Sequence, residues 1–368
     1  MDSRRNPTQQ ALDCGTVIIE LVSNDAAVID FAVEYFHPWF RPAPGGAEWR
    51  VRVTSSESAY AEMHQHMPSD ASPQPCFAHD REVLSMPAWR SDDRIDVWDA
   101  ERSCFLRLRP GQVDVIGDPR TLRWRFTLLW IVQEIVATRR RLAHVDVHAA
   151  ATERAGRALL IAGPKGAGKT TLSLYLMRSC ACRSIANDRS FVGGAIPMVL
   201  GMPTAVKIRP PTLAQFPELR SQLPPVARPY LYTLAELATA SPSAEPVDAV
   251  DFALSPNQLA QRLGAGTEAA APLGAIAFPQ VCEADAAWAV ERMTTAEVVA
   301  GIHGNLYGAA TGDRPTTLFE QFDIGRCRPS EQTIAAIAAR VPGHRVRLGR
   351  DAYADASLGE HLLSLWTT

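Results

Sequence analysis

The chain has 368 residues, 46% of them hydrophobic and 21% charged, with a formal net charge of −3. Composition of this kind supports about two domains, each burying its own core, and excludes intrinsic disorder, collagen and a small disulfide scaffold. The slight acidity also removes any whole-molecule field that would draw the protein to nucleic acid or an anionic membrane, so neither is expected as a partner.

Lysine usage is lopsided: of 37 basic residues only Lys165, Lys169 and Lys207 are lysine. Two of the three fall within five residues of each other, which marks a place where an ammonium is chemically required. Seven scattered cysteines, with no CxxC pair, suggest neither a zinc ribbon nor a disulfide framework. A reducing cytoplasm fits them best. The N-terminus runs into no apolar signal-like region, and the apolar stretch Phe126 to Val132 is far below the roughly 20 residues of a membrane helix. The expectation is therefore a soluble, cytoplasmic protein.

From Thr16 to Gly117 the runs TVIIELV, EWRVRVTS, RIDVWDA, CFLRLR and QVDVIG have β character, split by turn-rich stretches such as RPAPGG and MPSDASPQP. They predict an antiparallel, β-rich N-terminal domain over 1–118. Asp118 as N-cap and Pro119 in the first helical position open a long, largely buried helix that ends in three arginines, read as a connector over 119–141. Strands follow at VDVHAAATE and RALLIAG, separated by the turn ERAGR, then a helix over 169–179 and strands at CRSIAND and SFVGG. A Pro-rich stretch leads to TASPSAEPVD, read as a loop or flexible insertion. Beyond it come strands at GAIAFPQV, AWAVERM and HRVRLG, and helices at TAEVVAGI, SEQTIAAIAARV and Ser357 to Trp366.

The octet GPKGAGKT, Gly163 to Thr170, satisfies G-x-x-x-x-G-K-[ST] between an apolar strand and a helical run. Over Gly163, Pro164, Lys165, Gly166, Ala167 and Gly168 the three glycines let the available backbone N–H groups close around phosphate oxygens. The following helix aims its N-terminal dipole at the same charge. Lys169 reaches the β- and γ-phosphates, Thr170 ligates Mg²⁺, and Thr171 continues the helix start. Lys165 either adds to phosphate affinity or projects into solvent. No NKxD motif, LSGGQ signature or strand ending in DE follows, which disfavours GTPases and transport ATPases. Instead SIANDRSFV delivers Asn187 and Asp188 about twenty residues after Lys169.

This arrangement resembles the HPr kinase/phosphorylase family and its HPr-kinase-like relatives. Those proteins combine a His-Gly strand, a Gly-rich P-loop, an Asp-Asp pair at the end of the next strand and a later LEIRG-like signature. Here His148 stands fifteen residues before Gly163, the acidic pair is Asn187-Asp188, and VKIRP places Arg209 forty-six residues after Gly163. The resemblance covers roughly 142–305. It departs from the family in Asn187 for the first aspartate, Lys207 for the signature glutamate, and Lys165 and Thr170 for the loop serines. These changes put phosphorolysis in question, because fewer carboxylates and an added ammonium alter metal occupancy and the handling of free phosphate.

What the resemblance implies is an α/β fold: an HPr-kinase-like P-loop core over 142–310 beside a β-rich α+β N-terminal domain, with 311–368 a helix-strand-helix extension. The implied activity is an ATP- or GTP-dependent, Mg²⁺-dependent kinase transferring the γ-phosphoryl group to a serine of a peptide or protein. A small-molecule alcohol as acceptor, or a non-catalytic nucleotide sensor, are the alternatives. Asp188 would accept the acceptor's proton and share the metal with Thr170, and His148 would assist it. Arg209 and Lys207 would contact phosphate or substrate. Family members often form symmetric rings, so a homo-oligomer is implied as well. Against these roles, Asn187-Asp188 is also an ordinary turn and His148 an ordinary core histidine. GIHGNLYG reads as a helix end and turn, while RCRPS is either an anion contact or an N-cap.

Overall fold

A computed structural model of the chain describes residues 7–79, 82–91, 93–217, 219, 226, 228–241, 252–282, 287–307, 317–318 and 331–367. It is a mixed α/β protein with two large mixed sheets. Two compact units emerge, one on Met1–Leu142 with Gly308–Arg328 and one on Ala143–Tyr307 with Pro329–Thr368. Most of TASPSAEPVD, and all of RCRPS, lie outside the described residues. Among the described residues no helix is long and apolar enough to cross a membrane.

The first unit begins with β1 (Thr8–Asp13), β2 (Ile18–Ser23), α1 (Ala26–Phe36), β3 (Arg41–Ala43), β4 (Trp49–Ser55) and α2 (Glu57–Gln65). The meander β5 (Ser72–His79), β6 (Glu82–Ser91), β7 (Arg94–Asp99), β8 (Cys104–Arg109) and β9 (Gln112–Gly117) follows, and α3 (Trp124–Arg140) closes the unit. Its nine strands lie in the order β3-β1-β2-β4-β9-β8-β7-β6-β5. Contrary to the antiparallel expectation, β2 pairs β4 in parallel and β4 pairs β9 in parallel. A parallel neighbour needs a crossover: AAVIDFAVEYF, a helix absent from the sequence-based expectation, supplies it between β2 and β4, and α2 with β5–β8 supplies it between β4 and β9. The stretch MPSDASPQP is also partly strand, with Pro73 and Pro75 in β5, which ends the sheet order, where a missing N–H is tolerated.

The long helix starts later than its sequence signal. Asp118 does not cap it; its carboxylate accepts from the Arg120 backbone N–H and guanidinium, which holds the Asp118 carboxyl below its ordinary range. Fourteen residues of α3 are buried, as its apolar residues on several faces predict. Thr127 Oγ1 donates to Asp99 at 2.9 Å, and Arg125 lies over the Phe31 ring. The helix is thus built into the first unit.

The second unit holds β10 (His144–Val147), β11 (Ala149–Arg154), β12 (Arg157–Ala162), α4 (Lys169–Ser179), β13 (Arg183–Ala186), β14 (Ser190–Gly193), β15 (Met198–Gly201) and β16 (Val206–Ile208). After these come α5 (Pro210–Gln215), α6 (Leu234–Thr239), β17 (Phe252–Leu254), α7 (Pro256–Arg262), β18 (Ala270–Val281) and β19 (Trp288–Arg292). It finishes with α8 (Thr295–His303), α9 (Glu331–Arg340), β20 (Gly343–Leu348) and α10 (Ala356–Ser364). The sheet runs β10-β14-β15-β18-β12-β11-β13, with β20 pairing β18 and β19. Strand β18 is parallel to both β12 and β20. The strand read at HRVRLG therefore belongs to the same sheet as β12, the strand before GPKGAGKT.

Alternation along β12 divides the core. Leu159 and Ile161 join a cluster with Leu172 and Leu176 of α4 and Leu358 and Leu362 of α10. Leu160 and Ala162 face the other way, toward Val298 and Ile302 of α8 and Ile334 and Ile337 of α9. Both sheet faces are covered, which is why these strands read as continuous apolar runs.

Candidate functional site

The strand-loop-helix context expected for GPKGAGKT is present: β12 ends at Ala162 and α4 begins at Lys169. Gly166 and Gly168 adopt φ of +88° and +97°, left-handed backbone that favours glycine. A side chain on Gly166 would meet nothing within 4 Å, so that part of the loop is bordered by open space. Lys169 is buried, and its Nζ donates to the carbonyls of Gly163 at 2.6 Å and Pro164 at 3.3 Å. The ammonium is therefore held in the mouth of the loop. Lys165 is exposed, and Thr170 and Thr171 are half-buried.

Register places the other candidates at the same edge of the sheet. Ala149 lies opposite Ala162, so His148 precedes the residue facing the last position of the P-loop strand. Ala151 lies opposite Ala186, so Asn187 and Asp188 leave β13 on that edge too. The run VDVHAAATE, expected as one strand, breaks at His148: β10 pairs β14, whereas β11 pairs β12 and β13. At that break His148 Nε2 and Asp188 Oδ1 are 2.8 Å apart, with Asp188 35% and His148 16% exposed at the side chain. The Asp188 side chain is thus both bonded to His148 and partly open to solvent.

Several neighbours escaped the sequence reading. Asp146 and Arg189 form a buried pair, Nη2 to Oδ2 at 2.9 Å and Nε to Oδ1 at 3.2 Å. The Arg189 guanidinium lies 4.2 Å from the centroid of the Tyr307 ring, which also meets the His148 ring edge-on at 6.2 Å. GIHGNLYG, expected as only a helix end and turn, extends this cluster: Asn305 O accepts from His148 N, and Tyr307 N donates to Asp146 O. His303 faces elsewhere, toward Glu331. An aspartate inside the apolar run VDVH was the one available signal for Asp146, because buried carboxylates need partners.

Arg209 and Lys207 are less tightly connected. Arg209 is exposed at the N-cap of α5, and Lys207 is exposed in β16, which pairs β17 in a separate two-stranded sheet. Among the described residues no hydrogen bond or ion pair joins either to the loop. Their segment meets α4 through Thr212 of α5, 2.9 Å from Thr171 between hydroxyl oxygens, and through Phe216, whose ring lies 5.7 Å from the Arg178 guanidinium. Cys180 and Cys182 sit beyond the far end of α4. Burial pushes both thiols up, Cys182 to about 12, so neither is a poised nucleophile.

Among the described residues no cluster of three His, Cys, Asp or Glu forms a protein-only metal cage. The donors present suit a divalent cation held mainly by phosphate oxygens: one hydroxyl, Thr170, and one accessible carboxylate, Asp188. The arrangement offers an anion cradle with an ammonium, and a histidine-bonded carboxylate at the same sheet edge. No protein-family model matches the chain, and no curated protein matches it.

Proposed function

We propose that the chain is an NTP- and Mg²⁺-dependent kinase that transfers the γ-phosphoryl group to a hydroxyl, foremost a serine of a peptide or protein, as HPr-kinase-like enzymes do. The observation that carries this reading is the convergence of the Gly163–Thr170 loop and the His148–Asp188 contact on one edge of the sheet. In α/β sheets the carboxyl ends of strands are where ligands bind.

The chemistry assigned to the residues is simple. Backbone N–H groups of the loop and Lys169 hold the β- and γ-phosphates, which requires the ammonium to exchange the Gly163 and Pro164 carbonyls for phosphate oxygens. Thr170 and Asp188 would hold Mg²⁺, whose charge offsets that of the phosphates. Asp188 takes the proton of the acceptor hydroxyl as its oxygen bonds to the γ-phosphorus, and the bond to the β–γ bridging oxygen breaks, releasing the nucleoside diphosphate. His148 holds the carboxylate in place. Phosphorolysis is the reaction least supported, since Asn187 stands where the family has a second carboxylate.

The test is intact-mass detection of phosphoryl transfer from Mg²⁺-ATP or Mg²⁺-GTP to serine-containing peptides encoded beside the gene. Asp188→Asn should lower transfer by about 100-fold to 10,000-fold, the usual range for a positioned acid-base group, while nucleotide binding persists. Transfer only to a small alcohol would reassign the acceptor. Binding without transfer to either would mark a nucleotide sensor, and no binding of ATP or GTP with Mg²⁺ would overturn all three readings.

A further inference from the structure

We propose that Asp146, Arg189 and Tyr307 are positioning residues that hold the Asp188 carboxylate against His148; this rests on the kinase reading for its consequence but not for its geometry. Asp188 lies on a short link, Asn187 to Arg189, between the end of β13 at Ala186 and the start of β14 at Ser190. No strand pairing covers those three residues, so the direction of the carboxylate depends on how the link is tied down. One tie is backbone, Met202 N to Arg189 O at 3.1 Å. Another is the two-pronged Arg189–Asp146 pair, formed next to Asp188 on one side and two residues before His148 on the other.

The two polar contacts run side by side across the same strand ends. Val147 pairs with Ser190, so Asp146 and His148 flank the position that meets the start of β14. Asp146–Arg189 and His148–Asp188 are then neighbouring cross-links of one junction. Tyr307 touches both: its ring supports the guanidinium at 4.2 Å and meets the imidazole edge-on, and its N–H donates to Asp146 O. A planar guanidinium bonded through a fork and resting on a ring has little freedom to rotate. A buried pair like this is a poor source of net stability compared with apolar residues of similar size. Its placement is better explained by orientation, where displacement by about 1 Å can cost on the order of 100-fold in rate.

The experiment compares the full chain with Asp146→Leu/Arg189→Met, which removes both charges together, and with Arg189→Lys, which keeps charge but loses the fork. Three quantities are read: the imidazole N–H resonance of His148 in protein labelled with ¹⁵N-histidine, ATP affinity by titration, and kcat and KM for transfer. The proposal expects the hydrogen-bonded His148 proton to be lost or exchange-broadened in both variants, ATP affinity to stay within about threefold, and kcat to fall by about 100-fold. Tyr307→Leu should give the same pattern more weakly. An unchanged His148 resonance in folded Arg189→Lys overturns the proposal, as does a fall in ATP affinity equal to that in kcat. If the parent protein transfers no phosphate, the kinase reading fails while the His148 resonance still decides this one. Should the double variant not fold, Arg189→Lys and Tyr307→Leu carry the decision.

Discussion

Gly168 is the position where backbone strain and the proposed nucleotide binding meet. It caps α4 at φ +97° and ψ 9°, and a methyl group there would approach Val281 Cγ2 at 3.2 Å. Val281 is 52% exposed and can give way, so the dominant cost of Gly168→Ala is the left-handed backbone, about 1–2 kcal/mol. Gly156, in the β11–β12 hairpin at φ +80° with nothing within 4 Å, carries the same backbone cost without a ligand nearby. Gly156→Ala should lower the melting temperature by about 2–8 °C, taking about 2–4 °C per kcal/mol for a unit of this size. For Gly168→Ala the same 1–2 kcal/mol is divided between two readouts. If the loop keeps its shape without nucleotide, the cost appears in melting; if it relaxes, the cost returns as a fivefold to thirtyfold loss of ATP affinity, about 1.4 kcal/mol per tenfold. Calorimetry and a fluorescent-nucleotide titration on both variants measure the two parts. The reasoning is refuted if Gly168→Ala changes neither, or if Gly156→Ala weakens ATP binding as much as Gly168→Ala does.

Two further outcomes concern stability. Burial alone would raise the Glu153 carboxyl, but the Arg183 guanidinium at 2.6 Å and the Gly156 N–H pull it below its ordinary 4.5. A lowered carboxyl stabilises the fold above pH 4.5 and loses that contribution as pH falls through the folded-state value. The melting-temperature gap between the parent and Arg183→Met should therefore be full at pH 7 and close in acid; a gap independent of pH would sink this account. Trp366, 1% exposed and packed against the backbone at Gly274, fills the cluster beneath α4 and α10. Trp366→Ala should cost about 3–5 kcal/mol in urea unfolding, and a loss below about 1 kcal/mol would show that the site collapses around the missing ring.

Much of the second unit was legible because its signals are local. GPKGAGKT demands particular backbone at its glycines, and the helix after it begins and ends where the pattern placed it. The strands at RALLIAG and GAIAFPQV appear as apolar runs because both faces of the sheet are covered, whereas HRVRLG alternates, burying Val346 and Leu348 and turning Arg345 and Arg347 outward. The first unit was less legible. Its α1 carries a helical period, with Val28, Phe31, Ala32 and Tyr35 buried on one face, but the run is so apolar overall that it stands out little from the β-like runs around it, and its β5 contains two prolines that argue for a turn. Asp118 and Pro119 looked like a helix start, but Asp118 spends its acceptors on Arg120.

Sequence by itself determined the order of strands and helices in the P-loop region, the residue types able to surround phosphate, and the presence of Asp188 and His148 at suggestive spacings. Those follow from short-range chemistry: glycine's access to positive φ, the period of apolar residues, and the few cationic and acidic groups available. Tertiary structure alone decided that His148 and Asp188 meet at 2.8 Å, that Asp146 and Arg189 are buried together, and that the Tyr307 ring touches one member of each pair. These contacts join residues forty or more positions apart. They depend on β10 and β11 separating at His148 to pair with different strands, and strand partnership is set by sheet register and burial rather than by any local run of residues.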